Sequence, residues 1–198
     1  MLYRLLFGFL APSKSSARSL ARRVVSVVVN NSPNEDFADI ISSNSQFVTS
    51  FQDEHLTGTA RRGLAIVTCM DSRINPLAVV GMKSGDAKIL RNAGARVTDD
   101  MLRTLVLATY LLGVERVLVM PHTDCRLASG DEDSIHRSIE TKYGVDTRGV
   151  QFKMVKDQRV ALAADVASIR SYEILPKTLK VAGAIYDVKS GRLEFIDC

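Results

Sequence analysis

Ile66-Val-Thr-Cys-Met-Asp-Ser-Arg73 and Val119-Met-Pro-His-Thr-Asp-Cys125 decide how this chain is read. Each opens on an apolar run that reads as a β-strand and closes on side chains able to bind a metal. Cys69, His122 and Cys125 together offer two thiolates and one imidazole. That is a Zn2+ ligand set with a fourth position left open, as in catalytic rather than structural sites. Neither half is decisive alone, because a single Cys at a strand end is more often a small buried hydrophobe. Their shared placement is the stronger signal. Both fall at the carboxyl ends of apolar strands, where open α/β sheets put their ligands.

Outward from these two stretches the chain alternates strand and helix. Residues 64–68 are an unbroken apolar run, the mark of a strand covered on both faces. Residues 87–90 and 116–120 read as the second and third strands. The spacing predicts a short helix over 75–82 with Pro76 in its first turn. A longer helix covers 99–112, capped by Thr98, with Asp99 and Asp100 at its positive end and Gly113 at its stop. Residues 133–142 read as a helix closed by Gly144. Residues 158–172 read as another, with Val160, Leu162, Ala163, Val166, Ala167 and Ile169 facing inward, and Pro176 ends the pattern. Residues 181–188 and 192–196 flank Lys189-Ser-Gly191, a hairpin turn. Before the first strand, residues 36–52 carry Phe37, Ile40, Ile41, Phe47, Val48 and Phe51 in a loosely helical pattern. The expected fold is α/β, with a mainly parallel central sheet flanked by helices and an antiparallel edge hairpin near the C-terminus.

Cys-x-Asp-Ser-Arg at 69–73, then Ile89-Leu-Arg-Asn-Ala-Gly94, then His-Thr-Asp-Cys at 122–125 resemble the β-class carbonic anhydrases, closest to their compact microbial branch. The resemblance runs over residues 65–195 and includes Gly183-Ala-Ile-Tyr-Asp-Val188. It implies a zinc lyase that reversibly hydrates carbon dioxide to bicarbonate and a proton. Cys69, His122 and Cys125 would bind the metal, Asp71 would orient the attacking hydroxide, and Arg73 would hold Asp71. It also implies a homodimer or a multiple of dimers, with a helix like that of 36–52 packing on the partner subunit. Related proteins on this scaffold hydrolyse carbon disulfide or carbonyl sulfide, and the metal motifs do not separate the two activities.

The chemistry of these residues agrees with that implication. Two thiolates cancel the charge of Zn2+, so such a centre acidifies bound water less than a three-histidine site and needs help to reach a water pKa of about 7. Hydration is therefore expected to climb above about pH 8. An Asp held by an Arg stays ionised and can accept the hydrogen bond that aims the nucleophile. The same Asp71 could also swing onto the metal, which in the resembling family is an inactive state at low pH. Asn92, Ala93 and Gly94 follow the second strand, and their small size would let backbone N–H groups approach an anionic product. A plain strand-to-helix turn is the alternative reading of those three. Arg126 departs from the family, which has Gly directly after the second Cys. The departure raises a third reading, a catalytically weak structural subunit. His55 and His136 are assigned no role.

Hydrophobic content of 46% and charged content of 24% are ordinary for a globular chain, and 198 residues suit a single domain, expected over 35–198. The net charge of +4 comes from the N-terminus: Arg4, Lys14, Arg18, Arg22 and Arg23 precede the first acid, Glu35. The excess is a tail and not a groove, which argues against a nucleic-acid partner. Residues 1–34 are Arg-rich, Ser-rich and acid-free, the composition of an organelle transit peptide, mitochondrial before plastid because Arg dominates. A disordered tail on a cytoplasmic protein, or a secretory signal with residues 5–11 as its apolar region, is the alternative, and no run is long enough to span a membrane. Three cysteines make no disulfide framework, and a reducing compartment keeps ligand thiols available.

Overall fold

The structure, a computed structural model, describes residues 33–198. The basic segment before Pro33, on which the transit-peptide expectation rests, lies outside the described residues. The chain divides into two compact units between Phe51 and Gln52.

The first unit carries α1 (Pro33–Asp36) and α2 (Ala38–Ser50). The helical pattern expected over 36–52 is present, but Phe37 leaves helical geometry (φ −121°, ψ 20°) and splits off a preceding turn. Hydroxyls of Ser45, Thr49 and Ser50 donate back to the carbonyls of Ile41, Gln46 and Phe47, a local alternative to the helical ladder that weakens this end. No residue of α2 is buried, and Phe37, Ile40, Ile41, Phe47, Val48 and Phe51 are all exposed.

The second unit is built on a five-stranded sheet of order β2-β1-β3-β4-β5. Its strands are β1 (Leu64–Cys69), β2 (Ala87–Asn92), β3 (Arg116–Met120), β4 (Lys180–Tyr186) and β5 (Leu193–Ile196). The first four in that order pair in parallel and β5 pairs antiparallel with β4, as the sequence pattern predicts. β1 is buried along its whole length because side chains of both parities are covered. Ala65 and Val67 join Val117 and Val119 in one core, with Leu105, Leu162 and Val166 of the helices described next. Leu64 and Ile66 join Leu118 and Met120 on the opposite face, in the cluster that also holds Cys69 and Cys125.

The helices are α3 (Pro76–Val79), α4 (Asp99–Leu111), α5 (Glu132–Tyr143) and α6 (Gln158–Ser171). α3 is shorter than the predicted 75–82 because Gly81, at φ 64°, turns the chain and Met82 N–H closes on the Leu77 carbonyl at 2.8 Å. α5 starts one residue before its expected bound because Asp131 and Ser134 form a reciprocal capping box. On α6 the inward face is Leu162, Asp165, Val166 and Ile169, which corrects the predicted set. Val160 and Ala167 are exposed, and a carboxylate sits where only apolar residues were expected. Asp165 is tolerated there because Arg96 Nε donates to it at 2.7 Å and Val97 N–H at 3.2 Å.

Candidate metal centre

Strand register brings the two halves of the site together. Thr68 lies opposite Met120 across the β1–β3 pair, and the buried Thr68 hydroxyl donates to the Met120 carbonyl at 2.8 Å. Cys69 and the Pro121-His122 segment therefore leave the sheet at the same level. Beyond β3, Tyr186 N–H bonds the Pro121 carbonyl and Thr123 N–H bonds the Tyr186 carbonyl, both at 2.9 Å, which pins the backbone around His122. Asp124, at φ 55°, then turns the chain so that Cys125 returns inward. Cys69, His122 and Cys125 are all buried, and their donor atoms lie within 4.8 Å of one another.

This donor set fits zinc. Tetrahedral ligation at ordinary Zn–S and Zn–N lengths places neighbouring ligand atoms roughly 3.5–3.8 Å apart, a small contraction from the observed cluster. His122 Nδ1 is 2.8 Å from the Thr123 carbonyl, and a carbonyl only accepts, so Nδ1 carries the proton. In the neutral imidazole Nε2 is then a bare lone pair, and among the described residues it is a buried atom without a hydrogen-bond partner. An orphaned imidazole nitrogen beside two thiols, with its other nitrogen anchored on backbone, is how metal-ligating histidines are held.

The electrostatics are those of a centre short of positive charge. The neighbouring Cys125 thiol is the main cause of Cys69 ionising far below the ordinary thiol range, opposed by burial and helped by His122 and the Gly94 N–H. Its coupling to Cys69, with burial, pushes Cys125 far above that range. Burial works against protonation of His122, but the Cys69 sulfur and the charge of Asp71 outweigh it and raise the imidazole above its usual range. Metal binding displaces the protons these groups share.

Asp71 stands beside the cluster, with Oδ2 3.7 Å from His122 Nε2. Arg73 holds it through Nε to Oδ1 at 3.0 Å, Nη2 to Oδ2 at 2.7 Å and its own backbone N–H to Oδ1 at 2.9 Å. These bonds hold the Asp71 carboxyl well below the usual carboxylate range. The same guanidinium reaches Asp124, with Nη1 donating to Oδ2 at 2.8 Å and Nη2 to the carbonyl at 3.1 Å.

The turn after β2 borders the cluster. The Asn92 amide is committed to the Arg96 backbone, donating to its carbonyl at 2.7 Å and accepting from its N–H at 2.9 Å. Ala93 is partly buried against the Cys69–Cys125 cluster. Gly94 N–H points to the Cys69 sulfur at 3.4 Å. Gly94 has φ 76°, and an added Cβ would lie 2.9 Å from Leu127 Cδ2, so the position needs glycine on both counts. Arg126 is exposed at the start of a 3-10 turn, Arg126–Ala128, and the left-handed backbone falls one residue before Cys125 rather than one after. Replacing the family's Gly by Arg therefore brings no backbone strain.

Several supporting residues are assigned no role by the linear sequence. Arg91 donates to the carbonyls of Cys69, Ile74 and Asp71, gathering the whole turn after β1. Gln158 of α6 donates to the His122 carbonyl at 2.7 Å. Asp124 is the third. Each acts across a sequence gap that no local pattern spans.

Residues 64–193 match the family model described as carbonic anhydrase. The chain is 31% identical over 159 residues to β-carbonic anhydrase 1 of Mycobacterium tuberculosis, covering 78% of this chain and 94% of that relative. It is 29% identical over 152 residues to a carbon disulfide hydrolase of Acidithiobacillus thiooxidans, covering 67% of this chain and 76% of the relative. Among solved structures, the carbonic anhydrase of Streptococcus mutans superposes with a TM-score of 0.76 at 34% identity, over 81% of this chain and 97% of that one. With the sheet order, the buried Cys-His-Cys cluster and these matches together, the chain belongs to the carbonic anhydrase family, in its β class.

Proposed function

We infer that this protein is a zinc-dependent carbonic anhydrase that converts carbon dioxide and water reversibly to bicarbonate and a proton. The observation that carries the reading is the orphaned, buried Nε2 of His122 between Cys69 and Cys125, with an ionised Asp71 alongside. Zinc, when bound, supplies the Lewis acidity that makes water nucleophilic near neutral pH. The chain supplies the rest. The Thr123 carbonyl fixes the His122 tautomer, and Gly94 N–H draws charge from the Cys69 sulfur. Asp71, kept ionised by Arg73, accepts the hydrogen bond of the attacking water at Oδ2 and so directs its lone pair at carbon dioxide.

Stopped-flow hydration of carbon dioxide by purified protein of measured zinc content tests this. Zinc near one per chain with turnover above buffer is the expected result; zinc-loaded protein without turnover would leave the weak structural subunit as the better reading. The match to carbon disulfide hydrolases makes hydrolysis of carbon disulfide or carbonyl sulfide the second reading. Hydrogen sulfide release in the same preparation measures it.

Two further readings belong here. The exposed apolar face of α2 supports a homodimer in which that helix is covered by a second copy. The acid-free, Arg-rich composition of residues 1–34 supports mitochondrial import, against plastid import or retention in the cytoplasm. A reporter fused to those residues should enter mitochondria, and the native protein should lack Met1 by mass spectrometry; an intact N-terminus in the cytosolic fraction would end that reading.

A further inference from the structure

We propose that Asp124 is a positioning residue that clasps the two metal-binding turns together through Arg73. The inference rests on the zinc-enzyme reading above but concerns a residue that reading does not use. Cys69 to Arg73 and His122 to Cys125 are separate excursions from the sheet, and each contributes ligands to one centre. Arg73 hydrogen-bonds to both. One edge of its guanidinium, Nε and Nη2, forks onto the Asp71 carboxylate at 3.0 and 2.7 Å. The other edge meets Asp124 twice, through Nη1 to the carboxylate at 2.8 Å and Nη2 to the backbone carbonyl at 3.1 Å.

Those two contacts fall on a residue with an unusual backbone. Asp124 sits at φ 55°, in the left-handed region, where Asp and Asn are the best tolerated residues after Gly. That conformation lets the carboxylate and the carbonyl face the same guanidinium while the next residue, Cys125, is buried at the metal centre. An exposed ion pair contributes little on its own, and the Asp124 side chain is 69% exposed. The value of the contact lies in geometry instead. A planar fork gripped on both edges cannot rotate, so Arg73 keeps Asp71 in register with His122 Nε2, and the Cys125 turn keeps its distance from the Cys69 turn. Lys at position 73 would supply the charge without that double grip.

The test is a double-mutant cycle on the zinc-loaded protein, comparing Asp124→Asn, Asp124→Gly, Arg73→Ala and the Asp124→Asn/Arg73→Ala pair. Release of zinc to a chelator is read for each, with kcat and KM for carbon dioxide alongside. Asp124→Asn should fold normally and purify with zinc, yet release it about three- to tenfold faster and lose kcat by a similar factor with KM unchanged. Asp124→Gly, which suits φ 55°, should behave the same, because the carboxylate and not the turn is at issue. In the Arg73→Ala background, Asp124→Asn should add nothing further to zinc release. Wild-type release from Asp124→Asn or Asp124→Gly, or an undiminished effect of Asp124→Asn without Arg73, would overturn the clasp. Zinc release decides the matter whether or not the wild-type protein hydrates carbon dioxide.

Discussion

Cys125 and Asp71 illustrate how differently two residues of one centre should fail. Cys125 is buried with its sulfur in the donor cluster, and a serine hydroxyl is a poor replacement for a thiolate on zinc. Cys125→Ser should therefore lose most of the metal, as read by metal analysis of folded protein; full retention would remove Cys125 from the ligand set. Asp71 is bonded through both oxygens to Arg73 and is not one of the three clustered donors. Asp71→Asn should keep zinc while turning an acceptor toward Arg73 into a partial donor and disorienting the nucleophile. Hydration should drop on the order of a hundredfold, the cost of misplacing a reacting group by about an ångström. A variant with the wild-type rate would take Asp71 out of the mechanism.

The contact of α6 with β4 shows what the elements demand of each other. Gly183 has no side chain where Leu162 crosses, and a Cβ built there would lie 2.9 Å from Leu162 Cγ. Leu162 is 1% exposed and has nowhere to retreat. Gly183→Ala should destabilise the protein by about 1–3 kcal/mol through overpacking. Gly149 is the natural comparison, because nothing among the described residues lies within 4 Å of its added Cβ and its φ is not left-handed. Both substitutions restrict the unfolded chain equally, so Gly149→Ala should be neutral or slightly stabilising. Equal melting temperatures for the two variants would mean that α6 shifts on the sheet at no cost.

On the scale of the whole molecule, Asp86 ties the segment before β1 to the turn before β2. The Lys83 N–H is the main cause holding its carboxyl below the usual carboxylate range, opposed by burial and helped by Arg61, whose Nη2 donates at 2.7 Å. A carboxylate with a depressed folded pKa contributes stability that is fully present above its unfolded pKa, about 4, and is lost as pH falls through the folded value. Asp86→Asn should therefore melt below the wild type at neutral pH, with a gap that stays constant down to about pH 5 and closes below about pH 4. A gap that persists unchanged into acid would show that shape rather than charge is what Asp86 provides. The proposed dimer is tested at the same scale. Light scattering on the chromatographed protein should give twice the chain mass, and Ile41→Glu with Phe47→Glu should reduce it to one; a wild-type monomer would leave the α2 face without that partner.

The order of strands and helices, the burial of residues 64–68 on both faces, and the identity of the three metal-capable residues were all legible in the sequence. They are local properties: period, capping chemistry and side-chain type act over a few residues and are written in consecutive positions. What only the tertiary structure decided was who meets whom. Sheet register places Cys69 level with the segment leading to His122, and the left-handed turn at Asp124 brings Cys125 back to them. Arg73 then finds Asp124 across 51 positions, Arg91 gathers the Cys69 turn, and Arg96 neutralises an Asp165 that the helical pattern alone makes anomalous. The Asn92 side chain likewise meets the Arg96 backbone, a pairing that no local pattern announces. Pairings of this kind depend on the closing of long loops, whose entropy is offset by the packed core rather than by any motif, so the sequence names the chemistry and the core sets its geometry.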